Sequence, residues 1–174
     1  MNLEYRLAEP TECATLAALR WQSRIEEDGE RARTPRTDFE RECAGHFRRG
    51  MESGALGIWV AVEDGVIVSH IVIRRVPLVP RPWKVADAFG HVTNAYTRPE
   101  HRSKGIGTTL MRHAVEWART EDLELLIVWP SLRAVPYYRR LGFASENEVL
   151  QLTLRPYYEN EPDPGPSAGT SSPR

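Results

Sequence analysis

The sequence predicts an α+β fold with a mixed sheet, on three observations. Leu3–Leu7 and Val149–Leu154 alternate apolar and polar residues, as half-buried strands do. Two β-branched runs, Ile58–Val62 and Val66–Ile73, are joined by Glu63-Asp64-Gly65, and Asp-Gly supplies the positive φ of a tight hairpin turn. The second half reads strand, glycine loop, helix, strand; such a crossover demands at least one parallel pair in a sheet whose earlier members are antiparallel.

Each element has its own signal. After the first strand, Thr11-Glu12-Cys13-Ala14 has the make-up of a capped helix start, and Leu16, Ala18 and Leu19 carry an apolar face on to Trp21. A polar turn at Thr34-Pro35 precedes a second helix over 38–51. Beyond the hairpin, Pro77, Pro80 and Pro82 make 77–89 a loop, in which Trp83 either staples the loop to the body or offers an aromatic surface to a ligand. His91–Thr97 is a strand, Ile106–Thr120 a strongly helical run, Leu123–Trp129 a mostly apolar strand, and Ala134–Leu141 a short helix ended by Gly142-Phe143. One folded unit is expected over 1–158. From Glu161, four Pro, two Gly and three Ser crowd 14 positions, so 159–174 is expected to be a disordered tail with too little apolar surface to offset the entropy of ordering.

The composition narrows the function. A chain of 174 residues, 41% hydrophobic and 27% charged, is an ordinary globular domain. No stretch approaches the roughly 18 apolar residues of a membrane span, and the first residues lack a secretory pattern, so a cytoplasmic protein is expected. Twenty-three Lys and Arg against 24 Asp and Glu leave a net charge of -1, which argues against nucleic acid or an anionic membrane as partner and requires any polyanion to be met locally. Cys13 and Cys43, without a CxxC or histidines at zinc spacing, exclude a disulfide framework, a zinc ribbon and any expected metal; two small buried hydrophobes is the simpler reading, although His46, three positions on, formally keeps a thiol nucleophile open.

One segment meets the local requirement. Arg98-Pro99-Glu100-His101-Arg102-Ser103-Lys104-Gly105-Ile106-Gly107-Thr108 lies between a strand and a helix, with three basic residues against one acidic over 98–104. Glycines permit close backbone approach, and the first N–H groups of a helix have no intrahelical acceptor and sit at the positive end of its dipole. A Walker loop would need Gly-Lys-Ser/Thr, and a dinucleotide fingerprint a third glycine where Leu110 stands. What remains is Arg102-x-x-Gly105-x-Gly107, a common glycine turn when taken alone.

Downstream stands Ser131-x-x-Ala134-x-x-Tyr137-Tyr138-x-x-x-Gly142-Phe143, after the next strand. Together the two segments resemble the signature of the GCN5-related N-acetyltransferase (GNAT) family, over about His91 to Phe143, with a compatible order of strands and helices back to Leu3. The resemblance implies a single-domain mixed sheet flanked by helices, with acetyl-coenzyme A wedged where a central parallel pair splays apart. It puts the pyrophosphate on Arg102, Ser103, Lys104, Gly105, Ile106, Gly107 and Thr108, and the pantetheine arm along Ala95, Tyr96 and Thr97, one of whose N–H groups would polarise the thioester carbonyl. Tyr138 matches the tyrosine that protonates the departing thiolate. Ser131 replaces the usual asparagine of the cofactor arm with a shorter reach. His91, 11 positions before Arg102, occupies the offset of a glutamate base and would deprotonate the amine, or else is a strand histidine satisfied by packing; His101 faces solvent or the phosphates, and Asp87 is the next choice of base.

The expected function is therefore acetyl transfer from acetyl-coenzyme A to a primary amine by direct attack in a ternary complex. A noncatalytic coenzyme A-binding module and a transferase using a longer acyl donor are the alternatives. The acceptor is not written in the motifs. Trp21, Glu26, Glu27, Asp28 and the 77–89 loop are the segments free to recognise it, acidic residues suiting a cationic amine, and a homodimer is left open.

Overall fold

The computed structural model describes residues 2–29 and 34–144. Its elements are β1 (Leu3–Leu7), α1 (Cys13–Asp28), α2 (Arg36–Glu52), β2 (Leu56–Glu63), β3 (Val66–Pro77), β4 (Ala88–Thr97), α3 (Ile106–Thr120), β5 (Leu126–Val128) and α4 (Val135–Arg140). The strands form one sheet in the order β1-β2-β3-β4-β5, antiparallel as far as β4, with β4 and β5 parallel. The mixed sheet expected from the sequence is present; Val149–Leu154 and the 159–174 tail lie outside the described residues.

The β2–β3 turn takes the two residues the Asp-Gly pattern requires, Asp64 at φ +48° and Gly65 at φ +82°, both in the left-handed region of a hairpin turn. Because side chains alternate across a strand, the sheet buries both faces. On one, Leu16 and Leu19 of α1 and Phe47 of α2 pack against Ile58, Val60 and Val72; on the other, Leu110, Met111 and Ala114 of α3 pack against Ile71, Ile73 and Val92. The buried positions of α3, Ile106, Leu110, Met111, Ala114 and Ala118, follow helical spacing, so one stripe meets the sheet.

The parallel pair opens the molecule. β4 pairs with β5 only from Gly90–Leu126 to Val92–Val128, and β4 then runs on to Thr97 without it. This is the splay that the fold class predicts, and the edge of β4 from 93 to 97 faces the gap.

Three local expectations change. A 3-10 turn, Pro10–Glu12, leads into α1 and is held by a capping box of Glu9 and Glu12, with Arg6 bonding Glu12 at 2.8 Å and 2.9 Å, while α1 itself has no side-chain cap from Thr11. The strand over 123–129 is confined to Leu126–Val128: the Leu123 N–H turns back to the Ala118 carbonyl of α3, Glu124 meets β4 through its bond to the Ala88 carbonyl before the regular ladder begins, and Trp129 is 56% exposed. Trp83 is 78% exposed and staples nothing; Asp87, which bonds Arg81, Lys84 (3.2 Å) and its neighbour's N–H at Ala88 (2.9 Å), pins the loop.

Candidate active site

A cleft of about 410 Å³ occupies the splay. Its floor is Ser69 and Ile71 of β3 with Ala95, Tyr96 and Thr97 of β4; its walls are Ser23, Glu26 and Glu27 of α1, Arg102 and Gly107 of the glycine loop, and Arg133, Ala134, Tyr137 and Tyr138 at α4. Of the residues expected to form the site, Ala95, Tyr96, Thr97, Arg102, Gly107 and Tyr138 are thus brought into one cavity.

The glycine loop is built as an array of donors. Ser103 (φ +61°) and Gly105 (φ +78°) turn the backbone into α3, and the first bond of that turn runs from the Thr109 N–H to the Gly105 carbonyl at 3.0 Å. The N–H groups of Ser103 to Thr108 therefore bond no carbonyl among the described residues. Gly107 is needed for close approach, since a Cβ there would stand 3.2 Å from Thr97 Oγ1. Ile106 contributes its backbone alone, its side chain being 3% exposed in the core.

Arg102 crosses the cleft mouth. Its Nη2 bonds Glu26 Oε2 at 2.5 Å, its Nε bonds the Thr97 carbonyl at 2.9 Å, and its guanidinium lies 5.5 Å from the Tyr96 ring centre. Tyr96 donates to the other oxygen of Glu26 at 2.5 Å. Burial would raise the Glu26 carboxyl, but the bonds from Tyr96 and Arg102 outweigh it and hold the group below the usual carboxylate range. Burial and then Glu26 push the Tyr96 phenol well up.

The two tyrosines of α4 divide their tasks. Tyr137 donates its hydroxyl to the Gly107 carbonyl at 2.8 Å, clamping α4 to the first turn of α3, and burial raises its phenol. Tyr138 is 7% exposed, its ring edge-on to Tyr137 and Phe143 at 5.0 Å and 5.3 Å, and its hydroxyl has no hydrogen-bond partner among the described residues. Burial first and Glu27 second raise its phenol, so it carries its proton at neutral pH.

Other expected residues stand apart. His91 pairs with Arg74 and Ile127 in the sheet and sets its ring against Trp129 at 4.5 Å, outside the cleft wall, where burial and then Arg74 lower its pKa. Ser131 accepts the Ala134 N–H with its backbone carbonyl at 2.8 Å and also lies outside the wall. His101 bonds Glu63 at 2.8 Å instead of facing solvent or phosphate. Asp87 is spent on Arg81 and Lys84, which hold its carboxyl low against the opposing effect of burial, and is withdrawn as a base. Cys43 is pushed up to about 11 by burial, so it offers no thiolate at neutral pH. Glu26, Glu27 and Arg133 are cleft residues that no motif marks. Two sequence signals pointed to the α1 wall: the acidity of Glu26 and Glu27, and the spacing of Ser23, Glu26 and Glu27 at i, i+3 and i+4 on one helix face.

The acetyltransferase (GNAT) family model matches residues 15–143, and the chain belongs to that family. It is similar to a predicted acetyltransferase from Clostridium acetobutylicum solved with acetyl-CoA, at 25% identity and a TM-score of 0.74 over 88% of this chain and 97% of that one. A GCN5-related N-acetyltransferase from Ralstonia eutropha JMP134 shares the fold at 22% identity and a TM-score of 0.70, over 87% and 99% of the two chains. Among curated relatives, the uncharacterized N-acetyltransferase YobR of Bacillus subtilis is 36% identical over 67 residues (37% of this chain, 27% of that protein). The glucosamine 6-phosphate N-acetyltransferase of Trypanosoma brucei brucei is 28% identical over 75 (43% and 51%). These matches span about a quarter to a half of the relatives' lengths. Among the described residues no helix is long and apolar enough to cross a membrane, and no group of side chains has the make-up of a metal site.

Proposed function

We propose that the chain is an acetyl-coenzyme A-dependent N-acetyltransferase that passes the acetyl group to a primary amine by direct attack in a ternary complex. The observation that supports this reading is one cleft lined by Arg102 and Gly107 of a loop whose N–H groups are unbonded, by Ala95–Thr97 on an edge of β4 with no strand partner among the described residues, and by Tyr138, whose hydroxyl has no described partner. Those three features fit, in order, a pyrophosphate, an extended amide-bearing arm and a leaving thiolate. The bound thioester supplies an activated acyl group. The backbone of Ser103–Thr108 holds its phosphates, with Lys104 adding charge; Ala95–Thr97 orient its arm and offer an N–H to the carbonyl; Tyr138 hydrogen-bonds the departing sulfur. For the amine's proton we propose His91 through a solvent relay, because burial and Arg74 keep its imidazole neutral and able to accept. Ser131 is left with its backbone turn before α4.

The test is direct. Acetyl-coenzyme A at 100 times its dissociation constant should stabilise the fold by about 2.7 kcal/mol, and a panel of amines should release free thiol from it. Stabilisation with no thiol release would favour the noncatalytic binding module; neither effect, at millimolar ligand, would refute the reading.

A further inference from the structure

β4 changes phase in mid-strand. Its register with β3 runs Ser69 to Thr97 and His70 to Tyr96, then Val72 to Thr93, so Ile71 alone stands opposite both Asn94 and Ala95. That is a β-bulge, with Asn94 at φ +51°. Packing records the consequence. Val92 belongs to the core beneath α3 and Tyr96 to the core beneath α1 and α2, although residues four apart in a regular strand share a face. The phase change is what brings Ala95 and Thr97 round to the cleft and to Gly107.

Asparagine tolerates the left-handed region, which accounts for the residue type but not for its surroundings. From α1, Arg20 donates to Asn94 Oδ1 at 3.0 Å, across 74 positions of sequence. Asn94 Nδ2 is buried without a partner, and so are both ring nitrogens of His70, a fully buried residue of β3 opposite Tyr96. Asn94 lies near enough to favour protonation of His70, against the larger effect of burial. Asn94 is thus held from α1 by Arg20 and neighbours the buried His70 of β3, so contacts from two other elements converge on it. Arg20, Asn94 and His70, from three elements, therefore meet at the β3–β4 bulge.

We propose that Arg20, Asn94 and His70 are positioning residues that hold the β4 bulge, and through it set where Ala95–Thr97 face the acyl donor, without touching the donor themselves. The kinetic part of this proposal rests on the acetyltransferase reading; the structural part does not. Hydrogen exchange on the full chain tests the latter, comparing the 93–98 segment with 58–62 of β2 in wild type, Asn94→Gly, which keeps the positive φ but loses the amide, and Asn94→Asp, which keeps the acceptor for Arg20. In Asn94→Gly, exchange over 93–98 should rise about tenfold to a hundredfold with 58–62 unchanged, and Asn94→Asp should restore protection. In the thiol-release assay the glycine variant should lose at least about tenfold in kcat with KM for acetyl-coenzyme A within about threefold, and the aspartate variant should recover it. Unchanged exchange over 93–98, an equal rise in both segments, or an aspartate variant no better than the glycine one would each overturn the proposal. A wild-type chain that fails to bind acetyl-coenzyme A would instead overturn the functional reading and leave the exchange comparison standing.

Discussion

Replacing Tyr138 by phenylalanine removes one oxygen and almost nothing else. The ring keeps its contacts with Tyr137 and Phe143, and the lost hydroxyl leaves no described partner unsatisfied, so the melting temperature should barely move. The size of the kinetic effect follows from proton affinities. Burial and Glu27 raise the phenol above its ordinary value of about 10, whereas a free thiol titrates near about 8.5. Outright transfer to the thiolate is thus uphill by at least about 1.5 units, or about 2 kcal/mol, and the hydroxyl acts chiefly as a hydrogen bond that strengthens as sulfur gains charge. Turnover should accordingly fall by about 10- to 100-fold, the low end of general acid catalysis, with coenzyme A affinity within about threefold. Thiol release at saturating amine measures the first and calorimetric titration of coenzyme A the second. A variant that turns over at the wild-type rate would refute the assignment. Tyr137→Phe is the contrast: it breaks the bond to the Gly107 carbonyl, so coenzyme A affinity should weaken by several-fold while turnover changes little. The opposite pattern would mean that α4 presents Tyr137, not Tyr138, to the sulfur.

Calorimetry on Arg102→Ala should show coenzyme A binding weakened by about tenfold, and on Glu26→Gln binding tightened by several-fold, because Glu26 competes with phosphate for the guanidinium; equal affinities would leave recognition to backbone donors alone. Since the His91 imidazole is held below its ordinary pKa, the rising limb of rate against pH should lie below about pH 6.5 and vanish in His91→Ala; an unaltered limb would remove His91 from the proton's path. His70 has its pKa lowered to about 4 by burial, so unfolding takes up a proton between that value and the unfolded one near about 6.5. Its contribution is full above about pH 6.5 and is lost as pH falls toward 4, on the order of 3 kcal/mol, and urea titrations of His70→Leu across that range should lose the corresponding slope.

What the sequence disclosed followed from how local each signal is. The limits of α3, Ile106 to Thr120, were legible because a glycine start and a strong apolar stripe are written within the segment, and the β2–β3 turn because Asp64-Gly65 demands positive φ by itself. Tyr138 and the glycine loop were legible through a motif. Tertiary competition hid the rest. Nothing at Leu123 reveals that its N–H is claimed by the Ala118 carbonyl at the end of α3, so that β5 starts later than its apolar run. Glu26 was marked only as an acidic residue suited to a cationic amine; its bonds to Arg102 and Tyr96, 76 and 70 positions away, exist only once the chain is folded. Ser131 was placed by the motif it opens and His91 by its offset from Arg102, and neither says on which side of a splayed strand pair a side chain falls.

The near-zero net charge required any polyanion to be met locally, and the structure qualifies how. The basic residues of the loop are not simply offered to a ligand: Arg98 bonds the Ile67 carbonyl at 3.0 Å, and Arg102 is shared between Thr97 and Glu26. The donors already free of bonds are the backbone N–H groups of 103–108 and the ammonium of Lys104, whereas Arg102 must exchange Glu26 for a phosphate. If a pyrophosphate draws Arg102 away from Glu26, the α1 wall loses its neutralising cation while Glu26 and Glu27 remain beside the cleft. The wall then becomes more negative as the donor binds. A cationic amine should then bind more tightly with the donor present and, by thermodynamic reciprocity, tighten the donor in turn; amine and acetyl-coenzyme A affinities that prove independent of one another would refute a coupling through Arg102 and Glu26.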